Sequence, residues 1–497
     1  MKRILILLGI AASIVGFLMG RLTVSTMGSD NGYVPPLRIV GDIENCITYQ
    51  NVDKGMQRYN IQYDNSRIKA MKLEDMVGKA VPVTQNYDLL LVGEDGLVSR
   101  IPGTNLEESY ISFSPERGWE AINLRHPISS NIKRMKEIIV VSNENSWEYG
   151  LNIIEQDKNI LNITPGQLYF QNMLMHPYFE GKSSKEQDGQ IYETSIFTLR
   201  KVISIHDVVE DMQIDKILLM GKDGDYGYDD GTGFLEWKDH TIDYVYSDGK
   251  GRIKNVAGVL INPPTETVMD AYYDALHYLE NDEKVMILYL DGFGYHQYEY
   301  AMDHGYLPYL GGLSKAKKVT TVYQPVTNAG FAAMITGKPP SENGVYSRKQ
   351  KDLRSTSIFG KVKQQNKEGV LIEGDIGILN TEIPPILCSD RNGNGSTDDE
   401  IIEAALDNLQ QGHDFIFVHF HGIDDYGHTY GDLAEETMDM IGTTDGYVEN
   451  LITDWDGKVI ITSDHGMHPN TDGGGHGSFR YEDLMIPYWV IQGEERQ

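Results

Sequence analysis

The stretch from Val459 to Met467 (Val-Ile-Ile-Thr-Ser-Asp-His-Gly-Met) most narrows what this chain can fold into. An apolar run rich in β-branched residues, without polar alternation, reads as a strand buried on both faces, as in a parallel sheet covered by helices. Such sheets carry their ligands at the C-terminal ends of the strands, and Asp464 and His465 stand there side by side. A carboxylate and an imidazole supply the oxygen and nitrogen donors that zinc and similar divalent ions accept. Alone, the pair reads more readily as a capped loop with polar surface residues, so the rest of the chain decides.

Further segments repeat the pattern. Val285–Leu290 is a second apolar run, followed at once by Asp291 in Asp-Gly-Phe-Gly; the glycines let the chain turn away and leave the carboxylate at the strand end, which is equally the description of a plain turn. Phe415–Phe420 is a third, followed by Asp424 and, four residues on, His428. That spacing brings an oxygen and a nitrogen donor together across one helical turn. His419 and His421 lie nearer the strand and read as core histidines or as supports behind a ligand. His476 sits among Gly473, Gly474, Gly475 and Gly477, where the backbone can approach a neighbour closely. Between these segments, Ala329–Ile335 reads as a buried helix with Thr327 and Asn328 at its N-terminus, where free N–H groups favour a phosphate oxygen. Thr327 fits two roles there, helix cap or activated nucleophile.

In this order, Asp291, Thr327, Asp424, His428, Asp464, His465 and His476 resemble the site residues of the alkaline phosphatase superfamily, and among its branches the type I phosphodiesterase/nucleotide pyrophosphatase branch. The resemblance covers the chain from about Val285 onward. It implies an alkaline-phosphatase-like α/β fold, a doubly wound sheet with helices on both faces. It implies two divalent metal ions, zinc in first place and manganese second, and a phosphate ester substrate. Asp424, His428 and His476 would hold one ion. Asp291, Asp464 and His465 would hold the other beside Thr327, which would be both its ligand and the nucleophile that forms a phosphoryl-threonine intermediate. The branch carries a phosphate-contacting asparagine where Arg348 stands here, after Pro340-Ser-Glu-Asn-Gly. Arg348 could grip a dianionic phosphate and favour monoesters, or be an ordinary surface charge; Asn328 is the other candidate for phosphate contact. A phosphotransferase or phosphomutase of the same superfamily, and an inactive surface binding protein, are the rival readings.

The remaining chain sets the context. Lys2 and Arg3 precede an apolar run from Ile4 to Gly20, so residues 1–28 read as a signal peptide or membrane anchor, leaving the rest extracytoplasmic, anchored or secreted. Residues 37–145 and 150–264 show short apolar runs broken by Gly, Asp and Asn, which read as β-rich domains. The two share an order of short helix, strand and Asp-Gly turn, around Leu73–Gly96 and Ile205–Gly224, which reads as a tandem pair. A helix is expected from Glu266 to Leu279, capped by Thr265, and the catalytic domain spans 284–497. The net charge of −30 is spread along the chain, which argues against a nucleic-acid partner beyond a nucleotide substrate. Cys46 and Cys388 are expected as isolated buried thiols. The loop from Asp390 to Glu400 resembles a calcium loop but has Ile401 at the twelfth position, so a solvated acidic loop is expected.

Overall fold

The structure is a computed structural model that describes residues 35–52, 55–249 and 251–491. The leader or anchor expected at residues 1–28 lies outside them. Among the described residues, no helix is long and apolar enough to cross a membrane. Contacts gather the chain into two compact units, Met1–Glu144 and Asn145–Gln497.

The first unit is built on short strands. One five-stranded sheet runs in the order Ile47–Tyr49, Leu37–Gly41, Met135–Ser142, Tyr87–Gly93 and Val98–Pro102, with only Leu37–Gly41 and Met135–Ser142 paired in parallel. A four-stranded antiparallel sheet spans residues 59–123, and the helix Leu73–Gly78 buries Leu73, Met76 and Val77. Residues 151–261 of the second unit repeat this connectivity. Their first sheet runs Asn159–Ile163, Leu151–Ile154, Val256–Ile261, Ile217–Gly221 and Tyr226–Asp229, again with one parallel pair, Leu151–Ile154 with Val256–Ile261. The short helix Ile205–Val208 falls between strands at the same point of the order as Leu73–Gly78.

The seven-stranded sheet of the second unit runs Lys317–Thr320, Met485–Ile491, Lys458–Thr462, Val285–Leu290, Phe415–Phe420, Gly369–Glu373 and Ile386–Leu387. Its five strands from Lys458–Thr462 to Ile386–Leu387 are parallel. Alternation along the central strand divides the core in two. Val285, Ile287 and Tyr289 pack with Phe331 and Phe359 on one face, while Met286, Leu288 and Leu290 pack with Tyr298, Ile401 and Ile441 on the other. Both faces of the central strand are therefore covered, which is why Val285–Leu290 is buried at every position. This is a mixed α/β architecture, a helix-covered sheet preceded by a β-rich region.

Three details depart from expectation. Residues 151–261 are not a body separate from the catalytic sheet: Ile154, Leu218, Met220 and Leu260 share one core with Phe420 and Phe479, and the second unit contains both. The helix expected at Glu266 begins at Asp270, because Thr267 bridges Thr320 and Val268 N–H donates to Thr320 O, which holds that segment extended. Cys388 is buried but Cys46 is exposed, since it lies in the turn before the edge strand Ile47–Tyr49.

Candidate metal centre

Parallel register brings the candidate ligands together. Tyr289 lies beside Thr462 and also beside His419, so the residues that follow the three strands leave the sheet at one level. Asp291, Asp464 and His465 are buried there. Asp424 and His428 face the same place from the helix Gly422–Tyr430, one turn apart. His476 follows the strand Gly473–Gly475, whose glycines permit the approach: a side chain on Gly473 would meet the carbonyl of His428, and one on Gly474 would lie 2.7 Å from that of Gly427. Gly330, in the first turn of the helix Thr327–Thr336, packs against Asp464, and a Cβ there would come within 2.7 Å of the Asp464 Cβ. Gly330→Ala should therefore push this helix off the Asp464 backbone. The expected cost is about 1–3 kcal/mol in urea unfolding, with bound metal lowered in the same preparation; unchanged stability and metal content would contradict this contact.

Among the described residues three groups have their ligand atoms within 4.8 Å of one another; the expected ligands make up two of them, Asp424, His428 and His476, and Asp291, Asp464 and His465, while the third joins Asp291 to His419 and His421. In the first, Asp424 Oδ2 is 3.4 Å from His428 Nε2, and Asp424 Oδ1 is 3.7 Å from His476 Nε2. In the second, His465 Nε2 is 3.1 Å from Asp464 Oδ2 and 3.5 Å from Asp291 Oδ1. The His465 and His476 rings stack at 3.7 Å, so the groups adjoin.

Three observations fit these groups to cations. First, Asp291 Oδ1, Asp424 Oδ1 and Asp464 Oδ2 are buried without a hydrogen-bond partner, and buried polar atoms are seldom left so. Second, all three imidazoles face the site with the same nitrogen. Nδ1 of His428, His465 and His476 donates to the carbonyls of Gly474, Gly466 and Pro325 at 3.2, 3.0 and 2.9 Å. That fixes the tautomer and leaves the Nε2 lone pair directed at the carboxylates, as metal-binding histidines require. Third, the charge is unbalanced. Burial, then repulsion from the neighbouring carboxylates, pushes Asp424 and Asp464 well above the usual range. Burial lowers His465 to about 4, and burial with the adjacent His465 lowers His476 to about 2. Neutral imidazoles with strained carboxylates suit divalent cations, which would supply the missing positive charge.

Thr327 is at the first position of its helix, nearly buried, with Oγ1 3.4 Å from His465 Nε2. It does not cap the helix; Val326 occupies that place and no side chain caps it. Arg348 is exposed and its guanidinium donates to His476 Nε2, so it lies at the rim of the first group. The side chain of Asn328 is occupied within the fold. Its amide donates to Gln350 O at 3.0 Å and Ile378 O at 3.3 Å, so both N–H bonds tie two loops to the helix and none remains for a phosphate.

Behind Asp291 stands His419, expected as a core histidine or a support; its partner Glu373 carried no signal in the sequence. His419 is fully buried, with Nε2 3.0 Å from Asp291 Oδ2 and Nδ1 3.4 Å from the buried Glu373. Burial opposes its charge, but the two carboxylates outweigh burial and raise its pKa. Burial likewise works to raise Asp291, yet the bonds from His419 and His421 hold it well below the usual range. Asp398 was also missed: it accepts from the N–H groups of His421 and Gly422 at 2.8 and 2.9 Å and so fixes the start of the helix bearing Asp424 and His428. In the loop before it, Asp390 spends its oxygens on the N–H groups of Gly393, Asn394 and Gly395.

Residues 386–478 match the family described as "Metalloenzyme: Metalloenzyme superfamily". The C-terminal part of the chain is a metalloenzyme-superfamily domain of the alkaline-phosphatase-like kind, and it contains Asp424, His428, Asp464, His465 and His476. No curated protein matches. Among solved structures, phosphonoacetate hydrolase from Sinorhizobium meliloti 1021 in complex with phosphonoformate is 16% identical, covering 38% of this chain and 59% of that one, with a TM-score of 0.31. Murine ectonucleotide pyrophosphatase/phosphodiesterase 5 is 19% identical, covering 37% of this chain and 58% of that one, also at 0.31. The chain thus spans less than two thirds of either.

Proposed function

We propose that this chain is a metal-dependent phosphoric ester hydrolase with Thr327 as its nucleophile. The carrying observation is the convergence of three unpartnered buried carboxylate oxygens and three lone-pair Nε2 atoms beside a hydroxyl at a helix N-terminus. Two divalent ions, zinc or else manganese, would be held by Asp424, His428 and His476 and by Asp291, Asp464 and His465, with Thr327 as a further ligand, and would supply Lewis-acid neutralisation of phosphate charge and acidify the hydroxyl. Thr327 Oγ loses its proton to solvent and attacks phosphorus, forming the Oγ–P bond as the bond to the leaving alkoxide breaks. Water then attacks the phosphoryl-threonine, releasing phosphate and restoring the hydroxyl. The helix N-terminus faces the developing negative charge with its free N–H groups. His419, held by Glu373, keeps the Asp291 carboxylate ionised and fixed in orientation.

Arg348 favours a monoester, because a guanidinium at the rim can pair with the second charge of a terminal phosphate. Purified, zinc-loaded protein should therefore hydrolyse an aryl phosphate monoester faster than an aryl phosphodiester. Arg348→Ala should raise KM for the monoester by about tenfold and change the diester much less. A strong diesterase preference, as in a phosphodiesterase or nucleotide pyrophosphatase, would remove the monoester assignment and leave the hydrolase. Transfer to added alcohols without release to water would instead make the chain a phosphotransferase. An extracytoplasmic site belongs to the same reading, supported by Lys2 and Arg3 before an apolar run. Protease treatment of intact cells tests it, since full protection of the chain would refute it.

A further inference from the structure

The candidate ligand His476 stands in a stretch with little stiffness of its own. Gly473, Gly474, Gly475 and Gly477 surround it, and Gly477 is in the left-handed region at φ +107°. Glycine loses more conformational freedom on ordering than any other residue, so a ligand with such neighbours has to be fixed from outside. The need is greatest in this group, because Asp424, His428 and His476 are only partly buried whereas Asp291, Asp464 and His465 are fully buried. On one side the fixing comes from the segment before Thr327: His476 Nδ1 donates to Pro325 O at 2.9 Å, and Gln324 Nε2 donates to Gly477 O at 3.3 Å.

On the other side it comes from the second β-rich region. Each residue from Ser478 to Glu482 meets a residue of the span 145–261. Ser478 Oγ donates to Glu148. Gly258, in the strand Val256–Ile261, lies so close to the Phe479 ring that no side chain would fit between them. The Arg480 guanidinium stands over the Trp147 ring at 5.9 Å. Tyr481 N–H donates to Asn159 Oδ1 at 3.1 Å, and Asn159 Nδ2 donates to Glu482 Oε2 at 2.8 Å. Only Gly477 separates this anchored run from His476. Two residues span at most about 7 Å of chain, so a shift of the run carries to the imidazole.

Resting on the metal-centre reading above, we propose that the second β-rich region, through Glu148 and Asn159, positions His476 and so sets the affinity of the group formed by Asp424, His428 and His476. Both are positioning residues: each touches the run after His476, and neither belongs to a ligand group. The second β-rich region is then a working part of the metal centre, not an appended module.

Zinc titration of the full chain in competition with a chromophoric chelator tests this. Wild type should bind two ions. Glu148→Ala with Asn159→Ala should weaken one of them by at least about tenfold and leave the other unchanged. His476→Ala identifies which ion responds: in that background the same pair of substitutions should change zinc binding no further, whereas a general loosening of the fold would add its effect. Glu148 is exposed and Asn159 half-buried, so wild-type melting of the metal-free variant shows that it is folded. Asn159→Asp is a second, isosteric variant. It keeps the acceptor for Tyr481 N–H but sets a like charge against Glu482, and it should weaken the same ion. Two ions held as tightly in these variants as in wild type, or equal weakening of both, overturns the proposal and leaves the metal centre standing. A wild type that binds no zinc removes the metal centre itself, and the proposal with it.

Discussion

Thr327→Ala should lower phosphate ester turnover by roughly a thousandfold or more while leaving metal content at the wild-type level. The expectation is sharp because the hydroxyl has little structural work. It does not cap its helix, and its neighbour across the site is His465 Nε2 at 3.4 Å. Alanine is at least as good a helix former as threonine, so thermal stability should hardly change. Asp291, Asp464 and His465 would remain to bind the cation. Thr327→Ser keeps the hydroxyl and should recover much of the activity, which a purely steric role for the methyl group would not predict. Acid quenching with labelled monoester should trap phosphoryl-enzyme in wild type and in the serine variant but not in the alanine variant. Full activity in Thr327→Ala would refute the covalent route, and loss of metal along with activity would make Thr327 chiefly a ligand.

The legible part of this molecule was what a single strand and its next few residues encode. Val285–Leu290 and Phe415–Phe420 are buried at every position and Lys458–Thr462 at all but Lys458, because each is covered on both faces, and each is followed within four residues by a carboxylate. Parallel pairing brings Asp291, Asp424 and Asp464 to one end of the sheet, and their sorting into two ligand sets was what the resemblance implied. What depended on partners distant in sequence was hidden. Glu373 reads as a polar residue ending a strand until His419, 46 positions away, is seen beside it. Asn328 looked free for phosphate because Gln350 and Ile378, whose carbonyls occupy its amide, carry no local signal. The start of the helix at Asp270 and not Glu266 has the same origin, a bridge to Thr320 that outweighs a local cap.

Removing metal should destabilise the protein more as pH rises. Asp424 and Asp464 are driven well above the ordinary 3.8 by burial and by neighbouring carboxylates. An acid raised in this way holds its proton more firmly folded than unfolded, so its contribution to stability declines as pH climbs toward the folded pKa. His419 acts in the same sense: its pKa is raised above 6.5, and the stability it lends is present below that value and lost as pH rises through the folded one. The opposing groups have finished titrating by neutrality. His465 and His476 are lowered to about 4 and about 2, so their contribution rises with pH only up to the unfolded value of 6.5. Asp291, held below 3.8, changes only in acid. Above the unfolded value of 6.5 the lowered histidines add nothing more, and the groups whose pKa folding raises can only take stability from the metal-free chain as pH rises, whereas cation binding grows stronger as ligand protons leave. At a thousand times its dissociation constant an ion contributes about 4 kcal/mol, which in a domain of this size means a fall on the order of 5–10 °C in Tm on chelation. The gap between loaded and chelated protein should widen between pH 7 and pH 9. Asp464→Asn removes one of the buried charges, so the chelated variant should melt above chelated wild type at pH 9, by about 1–3 kcal/mol, and should gain little from added zinc. A chelator that leaves Tm unchanged at pH 9, or a gap that narrows with pH, would mean that Asp424 and Asp464 are neutralised by something other than a bound cation.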